Sequence, residues 1–199
     1  IMSKHAFPIM SMSQLVDRVV NPVSVDAATL YEQIGIRSHG CGVFSKEPAL
    51  GAEIGEKRVF QVVENALVLN IVFAWEQAVA LTTQRDVGKI ASHRFPMYRP
   101  RSNACELRFV FRYLMSPRGK ELLDLASPGG AGRNRTLGQR AFESIPIPCP
   151  PIEEQSRIAD VLQVWDEAIS VARALSARTR QEAELIREKL LQGVMKLKA

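Results

Sequence analysis

Long apolar runs are missing from this chain. No window stays apolar over the roughly 18 residues that a membrane-spanning helix needs, so no segment is expected to cross a bilayer. Cysteine is scarce: Cys41, Cys105 and Cys149 are odd in number and widely scattered. That excludes a disulfide framework and a zinc site built on Cys-x-x-Cys, and it suits free thiols in a reducing, cytoplasmic setting. His5, His39 and His93 share no ligand spacing. Residues 1–10 are too short in their apolar part for a secretion signal. The motifs of nucleotide and covalent chemistry are absent as well. There is no Gly-x-x-x-x-Gly-Lys-Ser/Thr loop, no His-Glu-x-x-His and no Gly-x-Ser-x-Gly elbow. Asn21-Pro22 lacks the aromatic residue that an amino-methyltransferase loop places next, and Asp86 with Lys89 lacks the second carboxylate of a nuclease site. No catalytic residue, metal ligand or cofactor is therefore expected in this chain, and a binding or assembly role is favoured over an enzyme.

What is present begins with charge. The chain of 199 residues has a net charge of +5, unevenly spread. Residues 1–84 carry six basic and eight acidic side chains, whereas residues 85–140 carry twelve basic and four acidic ones. The excess is mostly arginine, whose planar fork suits phosphate and guanine edges. An apolar fraction of 46% and a charged fraction of 24% are those of an ordinary globular protein.

Read along the chain, residues 13–20 form a short amphipathic piece closed by Asn21-Pro22. A strand precedes the glycine-bearing turn Arg37-Ser38-His39-Gly40-Cys41-Gly42. The third glycine of a dinucleotide loop is missing there, which leaves a loop able to offer Arg37, Ser38 and His39 to a ligand. Residues 59–63 and 66–73 read as strands with a turn at Glu64-Asn65, and residues 89–98 as another strand. Trp75 reads as core. Residues 105–125 have helical spacing broken by Pro117, giving two short helices. Residues 127–136 form a flexible loop with Arg133, Asn134 and Arg135, and residues 140–147 are expected to be extended.

The last quarter organises the rest. The prolines of residues 146–151 lead into about 45 residues with no proline and a single glycine, Gly193. Glu153 and Glu154 fall in the first turn, where the helix dipole favours negative charge. Ile158, Leu162, Trp165, Ile169 and Ala172 form a stripe that resumes at Ala183, Ile186, Leu190 and Leu197. This heptad-like seam needs a second long helix, and the chain has no other. The expected architecture is α+β: a globular mixed α/β domain over residues 1–150, then one long coiled-coil-type helix over residues 151–199. Pairing with a second copy through that helix is the simplest way to cover the seam.

Several stretches together resemble one family. They are Ile34-Gly-Ile-Arg-Ser-His-Gly-Cys-Gly-Val-Phe44, Ala66-Leu-Val-Leu-Asn70, Ala74-Trp-Glu-Gln-Ala78, Ser92-His-Arg-Phe95, Gly129-Gly-Ala-Gly-Arg-Asn-Arg135 and the Pro150-Pro-Ile-Glu-Glu-Gln155 lead into the long helix. They look like the DNA specificity subunit of type I restriction-modification systems, over about residues 13–197. Gln77 departs from the pattern, where a glycine is expected. The family's usual subunit holds two target-recognition domains and two long helices in an antiparallel pair, and this chain matches one half. The resemblance therefore implies a half-subunit that reads one half of a split site on double-stranded DNA, with two copies supplying both halves. It implies methyltransferase partners carrying S-adenosylmethionine and, in complexes that cleave, a restriction subunit. The expected DNA contacts are Arg37, Ser38 and His39 in one loop and Arg133, Asn134 and Arg135 in another, with Arg94, Arg99 and Arg101 on the backbone. A dimeric coiled-coil adaptor whose globular head binds protein is the alternative, separable by salt-dependent duplex binding.

Overall fold

The computed structural model describes residues 7–129 and 135–194. In chain order the elements are β1 (Ile9–Ser11), α1 (Met12–Leu15), β2 (Val16–Val19), β3 (Leu30–Tyr31), β4 (Ile34–Ile36), β5 (Val43–Ser45), β6 (Ala49–Leu50) and α2 (Gly51–Ile54). Then come β7 (Val59–Gln61), β8 (Leu67–Leu69), β9 (Val79–Leu81), β10 (Ile90–Ser92), β11 (Met97–Pro100), α3 (Leu107–Met115), α4 (Pro117–Leu125), α5 (Gln139–Glu143), β12 (Pro146–Pro148) and α6 (Ile152–Leu191). The fold is the expected mixed α/β domain with a long C-terminal helix. Residues 1–159 and residues 160–199 form two compact units.

The first unit is built on a four-stranded antiparallel sheet in the order β2-β11-β8-β9. Leu67, Val68 and Leu69 of β8 are all fully buried, so both faces of this strand are covered. Period-two alternation sorts them. Leu67, Leu69, Val79 and Tyr98 join the core under α3, α4 and α5 with Val110, Leu114, Leu123 and Phe142. Val68, Ala78, Ala80 and Met97 join the second core with Ile34, Ile36 and Phe95. Two-stranded ribbons, β4-β5 and β7-β10, flank this second core, and β3-β6 lies beyond them. The turn read at Glu64-Asn65 is made by Asn65 in the left-handed region, at φ 52°.

The two short helices expected around Pro117 are α3 and α4. Ser116 is extended, as a residue before proline must be, and its hydroxyl accepts from the Gly119 amide. Gly119 has no room for a side chain, because a Cβ there would run into the backbone of Tyr113 and Leu114.

Four local expectations change. The strand read over residues 66–73 shortens to β8, and the Phe73 amide donates to the Asn70 carbonyl in a turn that follows it. Residues 13–20 divide into the helical turn α1 and the strand β2. Residues 89–98 are two strands. The Phe95 amide donates to the Ser92 carbonyl and closes a turn, and Pro96 beyond it cannot donate to a ladder. Residues 140–147 are not wholly extended. They begin as α5, which swings Phe142 into the core at 4.9 Å from the Tyr98 ring. The chain extends only at β12, whose prolines lie against β1 at the sheet margin.

The start of α6 belongs to the first unit. Gln155 is 1% exposed. Its Nε2 donates to the Pro150 carbonyl and to the Cys149 sulfur, and its Oε1 accepts from the Glu106 amide at 2.9 Å. One buried amide thus ties the first turn of α6 to the start of α3. Burial, then the neighbouring Cys149 and Glu106, pushes the Cys105 thiol up to about 12.

In the second unit every residue from Asp160 to Lys189 is exposed. The seam residues Leu162, Trp165, Ile169 and Ile186 are 38%, 64%, 44% and 48% exposed. Leu197 lies outside the described residues. Ion pairing of Arg178 with Glu182 and a Gln163–Glu167 hydrogen bond, both four residues apart, support the helix from its own surface.

Candidate nucleic-acid interface

The hairpin β4-β5 carries the glycine-bearing loop at its tip. The Arg37 amide donates to the Gly42 carbonyl and closes it. His39, Gly40 and Gly42 all take positive φ, at 59°, 64° and 81°. The loop is pinned from outside the hairpin. The amides of His39 and Gly40 donate to the carbonyls of Glu76 and Gln77, and the Ser38 hydroxyl donates to Glu76 Oε2 at 2.9 Å. A Cβ at Gly40 would press on the end of the Met115 side chain. Arg37 and His39 are exposed on this tethered frame, with the Arg37 guanidinium 4.9 Å above the Phe44 ring.

Gln77, which stands where glycine is expected, is itself in the left-handed region at φ 56°. Its Nε2 donates to the carbonyls of Leu114 and Ser116. The backbone requirement that favours glycine is present, and the side chain offsets its strain with hydrogen bonds. Trp75, read as core, is half-buried. Its Nε1 donates to the Val72 carbonyl and its ring lies 5.4 Å from the Arg135 guanidinium.

Beside the loop lie two hollows of ≈ 430 Å³ and ≈ 480 Å³ that share Lys46, Asn70, Phe73 and Phe95. Together they form one groove. Lys57, Ser92, His93 and Arg94 line one end, while Ser38, Phe44 and Glu76 line the other. Backbone pairing places several of the lining residues. The Lys46 amide donates to Gln33, the His93 amide to Arg58, and the Ile71 amide to Arg94. The Lys46 ammonium stands 5.4 Å above Phe95. Lys46, Lys57, His93 and Arg94 are exposed, and none forms an ion pair among the described residues.

Five other arginines of the basic block are engaged. Arg101 grips Asp17 Oδ1 through two nitrogens, at 3.0 and 2.7 Å. Arg99 donates to the Glu64 carbonyl at 2.8 Å. Arg135 pairs with Asp124 at 2.7 Å and donates to the Ser127 and Asp124 carbonyls. Arg108 pairs with Glu106, and Arg118 with Glu121. Arg133 and Asn134 lie outside the described residues. Of the expected contacts, the structure brings Ser38 and Arg94 to one groove, with Arg37 and His39 on the adjoining loop. Sequence reasoning did not single out Lys46, Lys57 and Asn70, which also line the groove. They lie in the first 84 residues, where the charge balance is negative, so composition pointed away from them. Among the described residues no three metal-ligating side chains cluster, and no helix is long and apolar enough to cross a membrane.

Comparison with known proteins places this geometry in context. The family model described as the type I restriction modification DNA specificity domain matches residues 63–178. A putative type I restriction enzyme specificity subunit, MjaX, from Methanocaldococcus jannaschii is 32% identical over 90 residues, covering 45% of this chain and 20% of that protein. Among solved structures, the HsdS subunit from Thermoanaerobacter tengcongensis superposes with a TM-score of 0.73 at 18% identity, over 98% of this chain and 52% of that one. A chain from a structure of the type I R-M system, described for its complex assembly and conformational transition, gives 0.74 at 18% identity over 98% and 51%. The type I restriction-modification S subunit from M. genitalium gives 0.55 at 14% identity over 96% and 47%. The chain spans about half the length of the solved subunits and matches a fifth of the curated relative.

Proposed function

Because the chain belongs to the type I restriction modification DNA specificity family, we propose that its first unit reads one half of a bipartite site on double-stranded DNA, and that α6 pairs with a second copy. The observation that carries the DNA reading is the open groove of unpaired cations beside a loop pinned at both backbone and side chain. Phosphate contacts set register and base edges in the grooves of DNA specify sequence. A rigid loop next to free positive charge supports that division.

The pairing rests on the exposed seam. Among the described residues the next longest helices, α3 and α4, have nine residues each and cannot cover it. The seam is close to palindromic. Laid antiparallel on a second copy, Leu162 meets Ile186, Trp165 meets the small Ala183, and Ala172 meets Ser176. A parallel pair would instead set Trp165 against itself. Two recognition domains would thus enter one assembly in a cytoplasmic complex. Methyl transfer, with its S-adenosylmethionine, belongs in this reading to a methyltransferase subunit, and cleavage where it occurs to a restriction subunit. The chain itself is non-catalytic.

The test is to purify the chain with its methyltransferase subunit, measure duplex binding and map methylated sites across a genome. The expected result is one bipartite sequence whose methylation vanishes without this chain. Methylation that persists unchanged would sink the reading.

A further inference from the structure

The groove, and not only the loop at its end, has a chemistry of its own. Its walls hold three exposed cations, Lys46, Lys57 and Arg94, none of them committed to a carboxylate among the described residues. Its centre is Asn70. The Val72 amide donates to Asn70 Oδ1 at 3.1 Å, which fixes the side chain's orientation and leaves its NH₂ as the free end. The groove centre therefore offers donors, as its walls do. Phe73 and Phe95 supply apolar surface. Acidic character appears only at the opposite end, where Glu76 accepts from Ser38.

Donors and positive charge along a concave strip, with aromatic surface below, match the ridge of a sugar-phosphate backbone. Phosphate oxygens only accept hydrogen bonds, and the deoxyribose face is apolar. A carboxylate repels phosphate but accepts from a cytosine amino group, so the Glu76 end suits base edges. We propose that this groove seats the backbone of one DNA strand, with Lys57, Arg94 and Lys46 on successive phosphates and Asn70 donating between them. The strand leaves the groove past Ser38 and Glu76, where the Arg37–Gly42 loop meets the bases. Lys46, Lys57 and Asn70 are thereby positioning residues for DNA, and Arg37 and His39 act on sequence. The assignment rests on the DNA-recognition reading above and adds where the backbone runs.

The experiment uses the chain assembled with its methyltransferase subunit. Duplex affinity is measured across a salt series for wild type, Lys57→Ala, Arg94→Ala and the double variant, and methylated sites are mapped for each. Each lost phosphate contact should flatten the log-log salt slope by about 0.9. Affinity should fall by about tenfold per contact on cognate and unrelated duplexes alike. The methylated sequence should stay the same. Arg94→Lys and Lys57→Arg, which keep the charge, should retain most of the slope, and this separates lost phosphate contact from a damaged fold. Arg37→Ala should instead change which sequences are methylated. Unchanged affinity and slope in the double variant, with wild type still binding, overturns the groove assignment alone. A changed methylated sequence in Lys57→Ala or Arg94→Ala at unchanged affinity does the same. A wild-type assembly that binds no duplex overturns the groove and the DNA reading together.

Discussion

Gln77 shows how much one residue can carry. It holds a left-handed backbone at φ 56°, which a side chain adopts at a cost of roughly 1 kcal/mol. Its side-chain amide donates to the Leu114 carbonyl at 3.0 Å and links the Glu76–Gln77 segment, which pins the glycine-bearing loop, to α3. Gln77→Ala keeps the strain and loses the bond, so it should destabilise by about 1–2 kcal/mol in a denaturant titration. Gln77→Gly loses the same bond but relieves the strain, and should cost less than the alanine variant. The reverse ranking would show that left-handed strain at this position is irrelevant. Two buried acids make a second residue-scale prediction. Burial pushes the Tyr98 hydroxyl from 10.0 up to about 12 and the Cys105 thiol from 9.0 up to about 12. A raised folded value means that the folded state keeps its proton longer than the unfolded chain. The resulting stability is intact below pH about 9 and drains away as pH climbs towards about 12. Melting temperature should fall over that window, and Tyr98→Phe or Cys105→Ala should each make the fall shallower.

At the scale of the element, α6 is two things in sequence. Its first turns are anchored: Gln155 satisfies the Glu106 amide and the Pro150 carbonyl at once. Gln155→Leu removes the bonds to the Glu106 amide and to the buried Pro150 carbonyl and should cost about 2–4 kcal/mol, read by chemical unfolding of the domain. Beyond Ala159 the helix is stable through its own i,i+4 contacts and presents an apolar stripe with nothing on it among the described residues. Leu162→Glu with Ile186→Glu places charge at both ends of the palindromic seam. Sedimentation should show the dimer dissociating at concentrations at least tenfold higher than for wild type, with helicity lowered only in step with dissociation. A wild-type chain that stays monomeric at high concentration would remove the pairing from the account. The Pro-Pro-x-Glu-Glu-Gln lead was legible as a helix start. Proline and glutamate act locally, through φ and the dipole, whereas the partners of Gln155 lie on other segments and leave no periodic trace.

For the whole molecule, the arginine-rich block of residues 85–140 pointed at nucleic acid, and the family agrees, but half of its arginines are held by other groups of the chain. Arg94 opens onto the groove, while Arg99, Arg101, Arg108, Arg118 and Arg135 are tied to carbonyls or carboxylates. The cations that join Arg94, Lys46 and Lys57, come from the half of the chain with the acidic balance. Charge counted along the chain measures supply, and folding decides how much of it stays free. The helices were read well where period and proline speak alone, as at α3 and α4. Local structure was misread at residues 92–96 and 139–143, where a tertiary contact turns the chain: a ribbon reversal in one case, the burial of Phe142 in the other.

By itself the sequence determined the domain-then-helix order, the break at Pro117, the apolar seam and the family, because each is written in residues near one another or repeated at a fixed period. Only the tertiary structure decided which positive charges remain open and which loop is held rigid. Those outcomes depend on pairs such as Arg101 with Asp17, 84 residues apart, and Ser38 with Glu76, 38 apart. Whether such side chains meet is set by the packing of the two cores, and no local pattern encodes it.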